Sequence, residues 1–183
     1  MTSFRKVSET EIHRGFIWSV VQAEFEAPDG TRFLRDAIRS PGAVGVVPVH
    51  VDDDGVAVVT LVRQYRPVLD GELLEIPAGM RDVVGEDPAM TAQRELAEEV
   101  GLKAGRLELL TVFHNSAGMT DGTTHVYLAT DLSSVPSEAH GPEEEAMSVV
   151  RMPLTDAVHA VIRGEITDAK TAIGLLLAAR PRV

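Results

Sequence analysis

Two valine-rich runs constrain this chain more than any other feature in it. Val44 to Val51 and Val56 to Val62 are almost continuously apolar, and Asp53-Asp54-Gly55 between them is a turn signal. A strand with one buried face alternates apolar and polar residues. A strand that is apolar at nearly every position needs cover on both faces. The pair therefore predicts a β-hairpin inside a sheet, with another layer on each side. The aspartates read as the solvated tip of that hairpin.

The rest of the chain supplies candidates for those layers. Apolar residues alternate at Phe16, Trp18 and Val20, then at Ala23 and Phe25 after a change of phase. The turn signal Pro28-Asp29-Gly30 and an extended run from Thr31 to Ile38 follow. Together they predict an N-terminal β-hairpin within residues 1–39, ahead of a main domain over residues 40–183. Leu73 to Ile76 reads as a short strand stopped by Pro77, and Ala78 to Asp87 as a loop. Pro88 suits the first turn of a helix, and Gly101 suits its end. Leu107–Phe113, His125–Ala129 and Met147–Met152 read as strands, and Pro153–Arg163 and Asp168–Ala179 as helices. Strands and helices mix without a regular βαβ alternation, so the expected class is α+β, a mixed sheet between helices.

Charge narrows the choice of partner. Twenty-eight acidic against 17 basic side chains give a formal net charge of −11. A nucleic-acid backbone needs a basic stripe, and none is present, so nucleic acid is excluded as the expected partner. No run approaches the roughly 20 apolar residues of a membrane span. The opening Met-Thr-Ser-Phe-Arg-Lys leads into no signal-peptide core, so no membrane association and a cytoplasmic location are expected. The absence of cysteine excludes disulfides, thiolate metal sites and a cysteine nucleophile.

The chemistry concentrates in Gly79 to Leu102, GMRDVVGEDPAMTAQRELAEEVGL. On a helix, Glu95 and Glu99 lie four apart and Glu98 lies three from Glu95, so the three carboxylates share one flank. Arg94 stands four before Glu98 and can pair with it, while Leu96 and Val100 can face a core. Taken alone, such spacing is that of a solvated acidic helix face. Clustered carboxylates also suit a hard divalent cation bound through oxygens.

The whole segment resembles the Nudix box: Gly, five residues, Glu, seven residues, then Arg-Glu-apolar-x-Glu-Glu-x-Gly-apolar. Glu86, Arg94, Glu95, Leu96, Glu98, Glu99, Gly101 and Leu102 fall in register, and the loop between Gly79 and Glu86 is one residue longer than usual. The resemblance implies the Nudix fold, a mixed β-sheet sandwiched between helices, here with an N-terminal β-hairpin extension. It implies that Glu95, Glu99, Glu98 and the Ala78 carbonyl bind metal, either Mg2+ or Mn2+ in its place. It places Arg94 in the catalytic machinery as the residue that orients the glutamates, with Glu98 beside it, and gives Glu86 a structural ion pair. A glutamate on a late loop serves as general base or extra metal ligand in related enzymes. Glu144 is its match here, with Glu143 or Glu145 as the alternative.

Outside the box, Val62-Arg63-Gln64-Tyr65-Arg66 and Glu75-Ile76-Pro77-Ala78-Gly79 resemble the ADP-ribose pyrophosphatase subfamily. So does the N-terminal hairpin, which in that subfamily builds a homodimer. The resemblance implies substrate contacts from Arg35 and Arg66, and from Gly118 and Met119 in the loop Ser116-Ala117-Gly118-Met119-Thr120-Asp121. Ala117 stands where the subfamily usually has proline. The expected function is Mg-dependent hydrolysis of a nucleoside diphosphate linked to another group, ADP-ribose first, giving AMP and ribose 5-phosphate. The alternatives are another nucleoside diphosphate sugar, a dinucleotide, or a non-catalytic nucleotide sensor. His114 and His125, without a paired base or metal ligand nearby in sequence, read as structural.

Overall fold

The computed structural model describes residues 3–137 and 146–181. The chain resolves into two compact units, Met1–Gly42 with Phe113–Thr123, and Ala43–Val112 with Thr124–Val183.

The first unit is built on a three-stranded antiparallel sheet in the order β1-β2-β3, with β1 Arg5–Arg14, β2 Ser19–Glu26 and β3 Arg32–Arg39. The expected hairpin is β2–β3, and it starts at Ser19 rather than Phe16. Its turn is closed by Gly30 N–H donating to the Ala27 carbonyl at 2.9 Å, and Thr31 N–H donating to Asp29 Oδ1 at 2.9 Å. Gly30 has φ 86°, a conformation that costs glycine nothing. β1 is an addition to the expected hairpin. Its sequence, RKVSETEIHR, is polar at nearly every position and lacks the apolar alternation that marks a half-buried strand. Backbone pairing with β2 and surface ion pairs such as Arg5–Glu26 at 3.1 Å hold it instead.

In the second unit the valine runs become β4 Ala43–Val51 and β5 Ala57–Arg66. Asp52 closes the turn between them, its Oδ1 accepting from Asp54 N–H at 3.1 Å and Val56 N–H at 2.7 Å. The remaining strands are β6 Gly71–Glu75, β7 Ala78–Met80, β8 Leu102–His114, β9 Thr123–Ser134 and β10 Ser148–Pro153. The sheet runs β10-β5-β4-β9-β8, with β6 added to β5 and β7 to β4. The β4–β9 pair is parallel; β5 is antiparallel to β4, β6 and β10, and so is β7 to β4. The sheet is therefore mixed.

Three helices among the described residues complete the layers: α1 Pro88–Val100, α2 Leu154–Ile162 and α3 Ala169–Ala178. On one face Val44, Val46, Val62, Tyr127 and Ala129 pack with Ala92, Leu96 and Val100 of α1. On the other, α3 lies so close that a Cβ on Gly174 would stand 2.9 Å from Val47 Cγ2. Both faces of β4 are covered, as its composition requires. Burial of each such side chain stabilises the fold by about 1.5–3 kcal/mol.

One irregularity positions the site. β4 pairs with β5 only over Val49–Val51 and then takes β7 as its neighbour over Ala43–Gly45. The two strands part, and the segment from β6 through Pro77 to β7 enters the gap. Pro77 has no N–H for a ladder, but its carbonyl accepts from Val46 N–H at 2.8 Å. Among the described residues, no helix is long and apolar enough to cross a membrane.

Candidate active site

α1 begins and ends where its sequence says it should. Asp87 is the N-cap and accepts from Ala89 N–H at 2.8 Å, and Pro88 occupies the first turn. Gly101 closes the helix in the left-handed region, φ 62° and ψ 36°. Leu96 and Val100 face the core, which fixes the rotation of the helix and turns Glu95 and Glu99 toward β7.

β7 receives them with its backbone. Ala78 N–H donates to Glu99 Oε2 at 3.0 Å. Glu95 is 8% exposed, and its carboxyl group lies over Gly79. A Cβ at residue 79 would overlap the Glu95 carboxyl carbon and both oxygens. The opening glycine of the motif is thus a cradle for a carboxylate, a role that the spacing of residues did not reveal. The loop that is one residue longer than usual runs beyond Met80, exposed over Asp82–Gly85, and the Gly79–Glu95 contact is kept.

Arg94 is the organising cation. Its Nη1 lies 2.8 Å from Glu95 Oε1 and 3.1 Å from Glu98 Oε2, and its Nη2 lies 3.4 Å from Asp82 Oδ1 and 3.8 Å from Glu86 Oε2. Burial pulls its pKa down, but Glu95, Glu98 and Glu86 more than offset this and hold it above the usual arginine value. Glu86 also accepts from Thr91 Oγ1 at 2.8 Å, which ties the loop to the helix.

The donor set is one of hard oxygens on a fixed frame, with a cradle that only glycine leaves open. It fits an oxygen-seeking divalent cation. The carboxylates engage Arg94 and the Ala78 amide, and no three His, Cys, Asp or Glu side chains among the described residues close on one point.

Arg66 is held elsewhere in the same unit. Its Nε and Nη2 donate to Glu75 at 2.7 and 2.6 Å, and Glu75 also pairs with Lys170. The Glu75 hydrogen bond holds the Arg66 guanidinium above its usual pKa against the opposing effect of burial. Burial raises the Glu75 carboxyl, but Arg66 and Lys170 outweigh it and leave the pKa lowered. Neither Glu75 nor Lys170 was a sequence candidate, and a contact across 95 residues leaves no local pattern.

In the first unit, Arg35, Gly118 and Met119 line a single cleft of about 420 Å³ with Phe25, Arg39 and His114. Arg35 lies over the Phe33 ring, 4.8 Å from its centroid. The loop carrying Gly118 and Met119 is stitched to β3: Ile38 N–H donates to the Met119 carbonyl at 2.8 Å, and Arg39 pairs with Asp121 at 3.1 Å. Glu143, Glu144 and Glu145 lie outside the described residues.

The comparisons agree with this architecture. The sequence pattern of the NUDIX domain matches residues 39–172. The ADP-ribose pyrophosphatase of Mycobacterium tuberculosis is 36% identical over 173 residues, 94% of this chain and 82% of that protein. The ADP-ribose pyrophosphatase of Bacillus subtilis is 35% identical over 171 residues, 93% of this chain and 90% of that protein. A crystal structure of an ADP compounds hydrolase superposes with a TM-score of 0.80 over 96% of this chain and 92% of that one. At 24% identity it speaks for the fold alone. This chain belongs to the Nudix family and is a Nudix hydrolase. Hydrolases of this family generally use divalent metals.

Proposed function

We propose that the protein hydrolyses the diphosphate bond of ADP-ribose to AMP and ribose 5-phosphate with Mg2+, and that Mn2+ can replace it. The observation that carries this reading is the seating of Glu95 on Gly79 and of Glu99 on the Ala78 amide. Two helix carboxylates are thereby fixed against a strand whose Ala78 carbonyl is also a hard ligand. Glu95, Glu98, Glu99 and that carbonyl would hold the metal, which when bound neutralises diphosphate charge and acidifies a water.

The chain's own residues do the rest. Arg94 keeps Glu95 and Glu98 apart and oriented by pairing with both. Arg66, fixed on Glu75, offers its remaining N–H groups to a phosphate oxygen. Arg35, Gly118 and Met119 contact the nucleotide from their cleft. A general base must remain free of the metal, and we assign that role to Glu144 by its place in the sequence, with Glu98 next in line. Exposed Phe4, Ile12, Phe16, Trp18 and Leu34 support residues 1–39 as the element that builds a homodimer, a state that light scattering measures directly.

The experiment is a product assay with ADP-ribose and Mg2+. AMP should appear, and Glu95→Gln and Glu99→Gln should each lose most of it while keeping the parental fold, because an amide is a poor ligand for a hard cation. Near-parental turnover by both variants at limiting Mg2+ removes the metal assignment. Faster turnover of another nucleoside diphosphate sugar than of ADP-ribose removes the substrate, a choice to which Ala117 in the cleft draws attention.

A further inference from the structure

We propose that Lys170, on the C-terminal helix, is a positioning residue for Arg66 and acts on it through the buried carboxylate of Glu75. The inference rests on the reading of Arg66 as a phosphate contact. It starts from a cluster that the glutamate site does not use.

The Glu75 side chain is 1% exposed. A carboxylate taken that far out of water is costly unless cations and hydrogen bonds compensate it. Arg66 supplies a bidentate pair through Nε and Nη2, and Lys170 binds the same Oε2 that Arg66 Nη2 occupies. Lys170 also lies 3.1 Å from Oδ2 of Asp168, the N-cap of α3. That oxygen accepts from Thr171 N–H at 2.9 Å and Thr171 Oγ1 at 2.6 Å, and Thr171 Oγ1 accepts from Ile76 N–H at 2.9 Å. Glu75 and its neighbour Ile76 are therefore tied to one turn of α3 by separate bonds. The parting of β4 and β5 gives the lysine its path. Gly45 borders that gap, and a Cβ there would stand 3.8 Å from Lys170 Cδ.

The consequence falls on Arg66. Pairing through Nε and Nη2 commits one edge of the guanidinium and leaves Nη1 to face an anion. The Arg66 side chain is 37% exposed, so its charged end is fixed by a buried partner and still reaches solvent. It also feels the charges of Asp168 and Glu99, which places it in the field of the glutamate site. Glu75 can hold Arg66 in one rotamer only if Glu75 itself cannot turn, and Lys170 blocks that turn. Arg66 and Lys170 against Glu75 and Asp168 make a cluster with no net charge. Without Lys170, Glu75 is free to follow Arg66.

A purely structural ion pair would affect stability alone, so the test separates the two effects. KM and kcat for ADP-ribose, and the Tm, are measured for Lys170→Met, Lys170→Arg, Arg66→Gln and the double variant Arg66→Gln/Lys170→Met. Lys170→Met should raise KM about tenfold and change kcat only a few-fold, since it misplaces a binding contact. Lys170→Arg should restore most of the loss. In the Arg66→Gln background, Lys170→Met should add less than about twofold to KM while its Tm loss persists, because the contact it positions is gone. If Lys170→Met does not fold, Lys170→Gln takes its place in the same cycle. A parental KM in the lysine variant, or KM effects that multiply in full, overturns the inference and leaves Arg66 as a contact. A parental KM in Arg66→Gln sinks the reading of Arg66 itself, and the inference with it.

Discussion

Around Glu95 the polypeptide is held by the core, and around Arg35 it is held by surface charge. α1 cannot rotate because Leu96 and Val100 are packed under it, and Glu95 is seated between the backbone of β7 and Arg94. The cleft that contains Arg35, Gly118 and Met119 depends on different bonds. Its loop is fixed by two backbone hydrogen bonds to Ile38, at 2.8 and 3.4 Å, and by Asp121. Asp121 pairs with Arg39 at 3.1 Å and accepts from Ser40 N–H at 3.1 Å. Arg39 in turn pairs with Glu9 of β1, which holds the Glu9 carboxyl at a pKa of about 2. Core packing tolerates almost no displacement, whereas exposed ion pairs are worth about 0–1 kcal/mol each and weaken with salt. The carboxylates proposed to bind metal therefore sit where geometry is rigid, and the residues proposed to contact the substrate sit where a change costs little.

The core-held region is most sensitive at Gly79. Gly79→Ala puts a methyl group onto the Glu95 carboxylate, so that carboxylate must leave its seat on β7. A shift of about 1 Å in a catalytic frame is enough to cost about 10²-fold in rate, and overpacking at a filled position costs about 1–3 kcal/mol. We expect kcat for ADP-ribose to fall about 10²-fold or more, with a lower Tm and with little relief from added Mg2+ or salt. Parental activity in this variant would mean that the Gly79–Glu95 contact does not set the geometry of the site.

The surface-held region should answer on a smaller scale. Asp121→Asn removes the charge that pairs with Arg39 while keeping an oxygen for Ser40 N–H. Loss of one exposed pair predicts a rise in KM of about two- to fivefold, with kcat unchanged. About 0.5 M NaCl should bring the parent toward the variant, because at that ionic strength exposed charges are largely screened. A KM difference that survives the salt would place Asp121 in contact with substrate, not merely under the loop.

These contrasts bear on what the sequence could reveal. α1 was legible to its ends, because Pro88, Gly101 and the Leu96/Val100 spacing are local signals, while the cap at Asp87 was read only as the end of a loop. The covered strands β4 and β5 were legible for the same reason, although β5 runs on to Arg66 through polar positions that pairing with β6 supports. β1 was not legible, because its stability comes from pairing and charge rather than from an apolar face. β7 was hidden by its length and by Pro77 before it. The three glutamates were readable as a shared flank, but the cradle at Gly79 was not, since it depends on the approach of a strand to a helix. The Glu75–Lys170 pair lies furthest from sequence reasoning, because only the parting of β4 and β5 brings its members together.

The smallest expected effect tests burial against surface charge at His125. This residue stands on β9 opposite Val44, and its Nδ1 is buried with no hydrogen-bond partner among the described residues. Burial lowers its pKa below the ordinary histidine value of 6.5; Arg81 lowers it further, and Asp87 opposes the shift. The fold therefore favours neutral imidazole. In the unfolded chain His125 takes up a proton as pH falls through about 6.5, while in the fold it resists. Its contribution to stability is thus full above about pH 6.5 and is lost as pH falls toward the lowered folded value. His125→Gln cannot titrate, so its Tm should fall less than the parent's between about pH 7.5 and pH 5.5. Because the main cause is burial and not a pair of exposed charges, the difference should persist in about 0.5 M NaCl, unlike the effect at Asp121. Parallel Tm curves for the two proteins across that range would mean that His125 titrates in the fold as it does in the unfolded chain.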